Sequence, residues 1–162
     1  MSTSPDSDAL ARIESLSELW RKKAKSVFGV DLDYSAESIT RLEEMLTKGW
    51  PEPPILVDAL VEGLGSYLGE TIRRLHGGEW RHAQEHGLFL DKVGGGDVQI
   101  FPMARARKRL LKGTDESVEY YYVVLKGMFL NAAPPPTSAR ITGAEIDTKS
   151  WWRRLFGWIL GD

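Results

Sequence analysis

The stretch over residues 55–76 constrains this chain more than any other. Leu56, Leu60, Leu64, Leu68, Ile72 and Leu75 recur at four- and three-residue steps and form one apolar face of a long helix. Ala59, Gly63 and Ser66, with Gly65 and Gly69 a turn around, leave a flat small-residue surface beside it. Glycine inside a helix costs about 1 kcal/mol relative to alanine. Several in one helix therefore predict that another backbone packs close, from a sheet or from the second helix. Gly77-Gly78 ends the pattern.

The periodicity on either side sets the rest of the organisation. Residues 1–5 read as a frayed end. A helix begins at Asp6, with Leu10, Ile13, Leu16, Leu19/Trp20, Ala24 and Val27/Phe28 on its apolar stripe and Gly29 at its end. Ser35 caps a second helix with Ile39, Leu42 and Met45/Leu46 inward, closed by Gly49. Trp50-Pro51-Glu52-Pro53-Pro54 then forces an extended break, because each proline lacks a donor and restricts the residue before it. After the long helix the period changes to alternation. Residues 79–83, 87–93 and 97–101 read as three short antiparallel strands, with Gly94-Gly95-Gly96 turning between the last two. Pro102 opens a fourth helix that Gly113 ends, and Thr114 or Asp115 caps a fifth, with Val118, Tyr121/Tyr122, Leu125 and Phe129 inward.

The expected fold class is α+β in the order α-α-α-β-β-β-α-α, a small antiparallel sheet packed on helices, followed by a C-terminal amphipathic helix on a linker. The expected organisation is a single domain over residues 1–130, with an N-terminal helical pair at 6–49 and a core at 54–130. A proline-containing linker at 131–148 and a tryptophan-rich tail at 149–162 follow. The length of 162 residues fits one domain. The chain has no cysteine, which excludes disulfides, thiolate metal sites and a cysteine nucleophile and fits a reducing cytosol. Its net charge of −2, from 21 Lys+Arg against 23 Asp+Glu, argues against a nucleic-acid binder acting through overall charge. No apolar run approaches the ~18 residues of a membrane span, and the N-terminus lacks the basic and apolar regions of a secretory signal.

One set of motifs resembles a known group. Leu64-Gly65-Ser66-Tyr67-Leu68-Gly69-Glu70 with Arg73-Arg74, then Gly77-Gly78-Glu79-Trp80, Phe101-Pro102, Lys108-Arg109-Leu110, Gly113, Ser117 and Tyr121-Tyr122, is similar to a group of small bacterial α+β domains of unknown function. In that group a glycine-containing helix ends at a Gly-Gly-x-Trp turn, and a short sheet and a proline-led Lys-Arg helix follow. The resemblance covers about residues 55–125. It implies a bacterial cytosolic origin and an α+β fold, and it assigns no residue a role.

Each site-like feature has a plain structural reading. His76, His82 and His86 lie close in sequence, but His82 and His86 fall in a strand and turn, where i, i+4 spacing does not converge on a metal. Glu70 lies three and four residues before Arg73 and Arg74, the spacing of surface ion pairs on a helix. The Gly94-Gly95-Gly96 run leads into a strand, so it is a hairpin turn and not a phosphate cradle. No cofactor, metal ligand set or catalytic residue is assigned. The fourth helix concentrates Arg105, Arg107, Lys108, Arg109 and Lys112 without an acid among them, and Arg105, Lys108, Arg109 and Lys112 share a face able to contact an anion. No interleaved aromatics accompany them, and Asp115, Glu116 and Glu119 follow, so nucleic acid is not the expected partner.

The tail carries the strongest functional signal. At 100° per residue, Trp151, Trp152, Leu155, Phe156, Trp158, Ile159 and Leu160 fill one arc, and Lys149, Ser150, Arg153, Arg154 and Gly157 fill the other. The run is similar to the short basic amphipathic C-terminal helices with which bacterial cell-division ATPases and their partners bind membranes. Burying so few side chains gains free energy of the same order as ordering the segment costs, so docking on protein or attraction to lipid must help. Two expectations follow. The first is a non-enzymatic bacterial interaction module, cytoplasmic, of the adaptor, chaperone or immunity type, binding an unknown protein partner. The alternative is a peripheral protein held at an anionic inner-membrane surface by Trp151, Trp152, Arg153, Arg154, Leu155, Phe156, Trp158 and Ile159.

Overall fold

The computed structural model describes residues 2–48 and 57–131. The Trp50–Pro54 break, most of the linker and the whole tail lie outside the described residues.

Asp6 accepts a hydrogen bond from the amide of Ala9 and starts α1 (Ser7–Lys23), which runs on as a π-helical turn over Ala24–Phe28 and stops at Gly29. Ser35 caps α2 (Ala36–Thr47) through the amide of Ser38. The long helix α3 is Val57–His76. Strands β2 (Glu79–Ala83), β3 (Gly87–Val93) and β4 (Val98–Ile100) follow, then α4 (Pro102–Lys112), a 3-10 turn at Gly113–Glu116 and α5 (Val118–Asn131). The α+β class and the element order match the expectation.

Residues 1–5 do not form a frayed end throughout. Ser2–Thr3 is a two-residue strand, β1, paired antiparallel with β2 at Ala83 and His82. It completes an antiparallel sheet in the order β1-β2-β3-β4. Without it the groups of β2 facing away from β3 would be an open sheet edge.

One sheet face is apolar. Trp80, Leu90 and Ile100 lie opposite one another across β2, β3 and β4 and are buried, as is Val93. They meet α3, whose Leu64, Tyr67, Leu68 and Ile72 are fully buried. The small-residue surface of α3 receives α1 and α4, not the second helix. A Cβ on Gly65 would stand 2.9 Å from the Cα of Met103 in the first turn of α4, and one on Gly69 would stand 2.6 Å from Cζ2 of Trp80. Glycine is thus the only residue that lets the α4 backbone and the Trp80 ring come this close. α1 runs along α3 with Ile13, Ser17, Trp20 and Ala24 buried, while Leu10 and Leu19 of the expected stripe stay exposed. α2 rests on α5 and α3.

The start of α5 also differs from the expectation. The chain makes a 3-10 turn through Thr114 and Asp115, and the helix begins at Val118. Ser117 Oγ accepts from the amide of Tyr120 at 3.1 Å, and the amide of Val118 donates to Glu43 of α2 at 2.8 Å. The cap is thus partly supplied by another helix.

Candidate functional site

The residues of the Gly-Gly-x-Trp region converge on one carboxylate. Glu70, Arg73 and Arg74 occupy adjacent positions on the last turns of α3. The turn at Gly77-Gly78 then returns the chain so that the Trp80 ring lies against Gly69. Its indole N–H donates to Glu70 Oε1 at 2.8 Å. Arg73 grips both oxygens of the same carboxylate, Nε to Oε1 at 2.8 Å and a terminal nitrogen to Oε2 at 3.0 Å. Arg74 Nε reaches Oε2 at 3.4 Å. Glu70 is 5% exposed, so this is not the solvated surface pair that the spacing predicts. Burial by itself would raise its pKa. The hydrogen bonds from Arg73 and Trp80 and the charges of both arginines outweigh it and hold the carboxyl below its ordinary range.

Arg74 is fixed from the other side. Its guanidinium lies 3.7 Å from the centroid of the Tyr34 ring. Tyr34 occupies the left-handed region at φ 61°, a costly conformation for a large side chain. Three hydrogen bonds hold it there. Its amide donates to Tyr67 Oη at 3.2 Å, and its own hydroxyl donates to Glu18 and meets Ser17 Oγ, both at 2.7 Å. Burial first, then the contact with Glu18, pushes the Tyr34 phenol up to about 12. Tyr67 Oη in turn meets Ser38 Oγ at 2.6 Å, tying α3 to α2.

Glu70, Arg73, Arg74 and Trp80 line a cleft of about 470 Å³ between α1, the end of α3 and the start of β2. Arg73 and Arg74 face it with side chains 40% and 38% exposed. Glu14 and Glu79 stand on its walls. The cleft therefore offers cations and carboxylates side by side, with the central carboxylate already saturated. Such a surface can recognise a polar segment, and its ionised Glu70 has no proton to donate near neutral pH.

The anion-binding face expected on α4 is divided by the structure. Arg105 and Arg109 point inward and are 9% and 5% exposed. Arg105 meets Glu116 at 2.7 Å, and its guanidinium lies over the Tyr121 ring. Arg109 meets Glu43 at 2.8 Å and Thr47 at 3.2 Å. These two arginines lock α4 onto α2 and the start of α5. Lys108 is half-buried and Lys112 exposed, so the four residues do not form one outward patch. Arg107 pairs with Asp58 of α3. Trp151, Trp152, Arg153, Arg154, Leu155, Phe156, Trp158 and Ile159 lie outside the described residues.

The histidines are separated. His76 Nε2 meets Tyr122 Oη at 2.8 Å, joining the end of α3 to α5, and His86 lies edge-on to Phe101. Among the described residues no three His, Asp or Glu side chains gather closely enough to hold a metal. Nor is any described helix long and apolar enough to cross a membrane.

Sequence reasoning missed the role of Tyr34 and the burial of Glu70. The available signal was Trp80, placed four residues beyond His76 by a double-glycine turn and so directed back at the helix that carries Glu70.

A family model described as "Family of unknown function (DUF6278)" matches residues 1–124, and the chain belongs to that family. No curated protein and no solved structure matches the chain.

Proposed function

We propose that this DUF6278 member is a non-enzymatic interaction module of the bacterial cytoplasm that holds a protein partner in the cleft between α1, α3 and β2. The observation that carries the reading is the saturated Glu70. Its oxygens are occupied by Arg73, Arg74 and Trp80, so the cleft presents the outer edges of two oriented guanidiniums and not a group poised for proton transfer. The strained Tyr34 beneath Arg74 supports it, because such strain collects where a side chain must be held in one pose. Glu14, which lines the cleft with the arginines, favours a partner segment carrying charges of both signs, whereas Glu79 is already paired with Arg81 and Lys92.

Site-specific photocrosslinking tests this on the full-length chain. A photoreactive residue at Glu14, in the cleft, should capture a discrete partner in bacterial cells, and the same residue at Lys112, on α4, should not. Equal capture from both positions, or none from Glu14, rejects the cleft as the binding site.

The second reading is peripheral attachment to anionic membrane through residues 149–160. It is favoured by the arc of tryptophans beside Arg153 and Arg154. Co-sedimentation with anionic liposomes compares full-length protein with residues 1–148, and equal sedimentation of the two removes this reading.

A further inference from the structure

A second cavity, of about 250 Å³, lies on the other side of α1 and is independent of the arginine cleft. Ile13 and Leu16 of α1, Leu88 of β3 and Met103 of α4 supply apolar walls. Ser66, at the middle of α3, also lines it. Ser66 is fully buried, and its hydroxyl has no hydrogen-bond partner among the described residues. That is a costly state, because a buried hydroxyl without a partner forfeits its hydration and gains nothing in return. A serine in a helix commonly returns its hydroxyl to the carbonyl one turn back, as Thr71 does to Tyr67 at 2.8 Å. Ser66 makes no such bond. The cavity thus calls for an occupant with an apolar body and one polar hydrogen.

An indole has that chemistry: a flat apolar ring with a single N–H donor. Of the four tryptophans outside the described residues, Trp50 lies between α2 and α3, and Trp151, Trp152 and Trp158 lie together in the C-terminal segment. We infer that one of these last three occupies the Ser66 cavity, docking the C-terminal segment on its own domain.

Reach permits it. The His76 ring lies 4.9 Å from that of Phe129 near the end of α5. Ser66 is ten residues back along α3, about 15 Å at the helical rise. Residues 132–150 intervene before Trp151, and by random-coil statistics a chain of that length spans about 25 Å. Such a tether holds the segment at roughly millimolar effective concentration, enough to favour a contact too weak to form between separate molecules. Met103, an unbranched and adaptable side chain, is the wall best able to shift and admit the ring to the hydroxyl. Docking here would withdraw the tail from lipid, because the same tryptophans serve both.

The absence of cysteine makes the test direct. A nitroxide on His86→Cys, at the cavity wall on an exposed turn, is placed in the full-length chain, and the indole N–H signals of all tryptophans are followed by NMR. Substitution of each tail tryptophan by phenylalanine assigns its signal. The expected result is loss of the signal of Trp151, Trp152 or Trp158, unchanged on dilution. Free indole at millimolar concentration should restore it, and so should Ser66→Ala. The indole arm needs no change at Ser66 and stands even where that variant folds poorly. Three tail signals of full intensity overturn the inference and leave Ser66 to a buried water. Loss that indole does not reverse places the tail near the cavity but not in it, which also overturns it. Loss that appears only between labelled and unlabelled copies in a mixed sample assigns the contact to a second molecule and rejects the intramolecular form.

Discussion

Among the described residues two arginine–glutamate systems are buried, and they differ in what their arginines do next. Around α4, Arg105 and Arg109 are almost wholly enclosed, and each closes on a carboxylate from elsewhere in the fold, Glu116 and Glu43. Around the end of α3 the carboxylate of Glu70 is the enclosed partner, while Arg73 and Arg74 remain about two-fifths exposed along a cleft. The first arrangement spends its charge on holding helices together. The second buries the anion and keeps its cations in contact with solvent. A buried charge deprived of its partner costs far more than a half-exposed one, because only the latter recovers hydration. The same pair of residue types therefore serves as a lock in one place and as a presented surface in the other.

The largest expected effect comes from opening the lock. Glu43→Ala strands Arg109 and leaves the Val118 amide without its acceptor, and should destabilise the fold by about 3–5 kcal/mol. Urea unfolding measures this, and a loss below about 1 kcal/mol would put the two systems in one class. Gly69→Ala strikes what positions Trp80 over Glu70. It should cost about 1–3 kcal/mol through the clash with the indole ring and shift the Trp80 emission. Glu70→Gln keeps the shape and removes the charge, and should cost about 1–2 kcal/mol because Arg73 and Arg74 can turn to solvent. A cost as large as that of Glu43→Ala would show that the cleft is as structural as the α4 lock.

Acid should separate the regions in order. Burial, and then the charge of Lys126, lowers the pKa of His76, so the fold favours its neutral ring against Tyr122. That contribution is complete above the ordinary histidine value of about 6.5 and is lost as pH falls through the folded value. Glu70 is also depressed, so its contribution survives until pH has fallen below the ordinary carboxylate range. Amide protection in α5, measured against the intrinsic exchange rate at each pH, should therefore fall at mildly acid pH, before protection around Glu70 in α3. The reverse order would contradict the assignment. The smallest effect is expected at Lys112→Ala, within about 0.5 kcal/mol by thermal unfolding, because that residue is exposed.

Much of the fold was legible because its signals are local. Asp6, Ser35, Gly29, Pro102 and Gly113 mark helix ends through their own backbone chemistry, and they do so where the sequence places them. The strands follow from alternation broken by glycine. The start of α5 was not legible from Thr114 and Asp115, because its first amide is satisfied by Glu43, a residue of α2 far back in the chain. The fate of the α4 cations was hidden for the same reason. Arg105, Lys108, Arg109 and Lys112 share a helix face by spacing, yet whether a cation on that face is buried depends on which acids the other helices bring to it.

The sequence by itself determined the α+β class, the order of elements and the convergence of Glu70, Arg73 and Arg74 on one helix, since periodicity, caps and i, i+4 spacing act within a few residues. Only the tertiary structure decided that Glu70 is buried and that Trp80 and Tyr34 complete its surroundings. It alone left the Ser66 hydroxyl without a partner among the described residues, beside an apolar cavity. Burial is a property of what packs against a residue, and those neighbours come from elements that the local pattern around it does not encode.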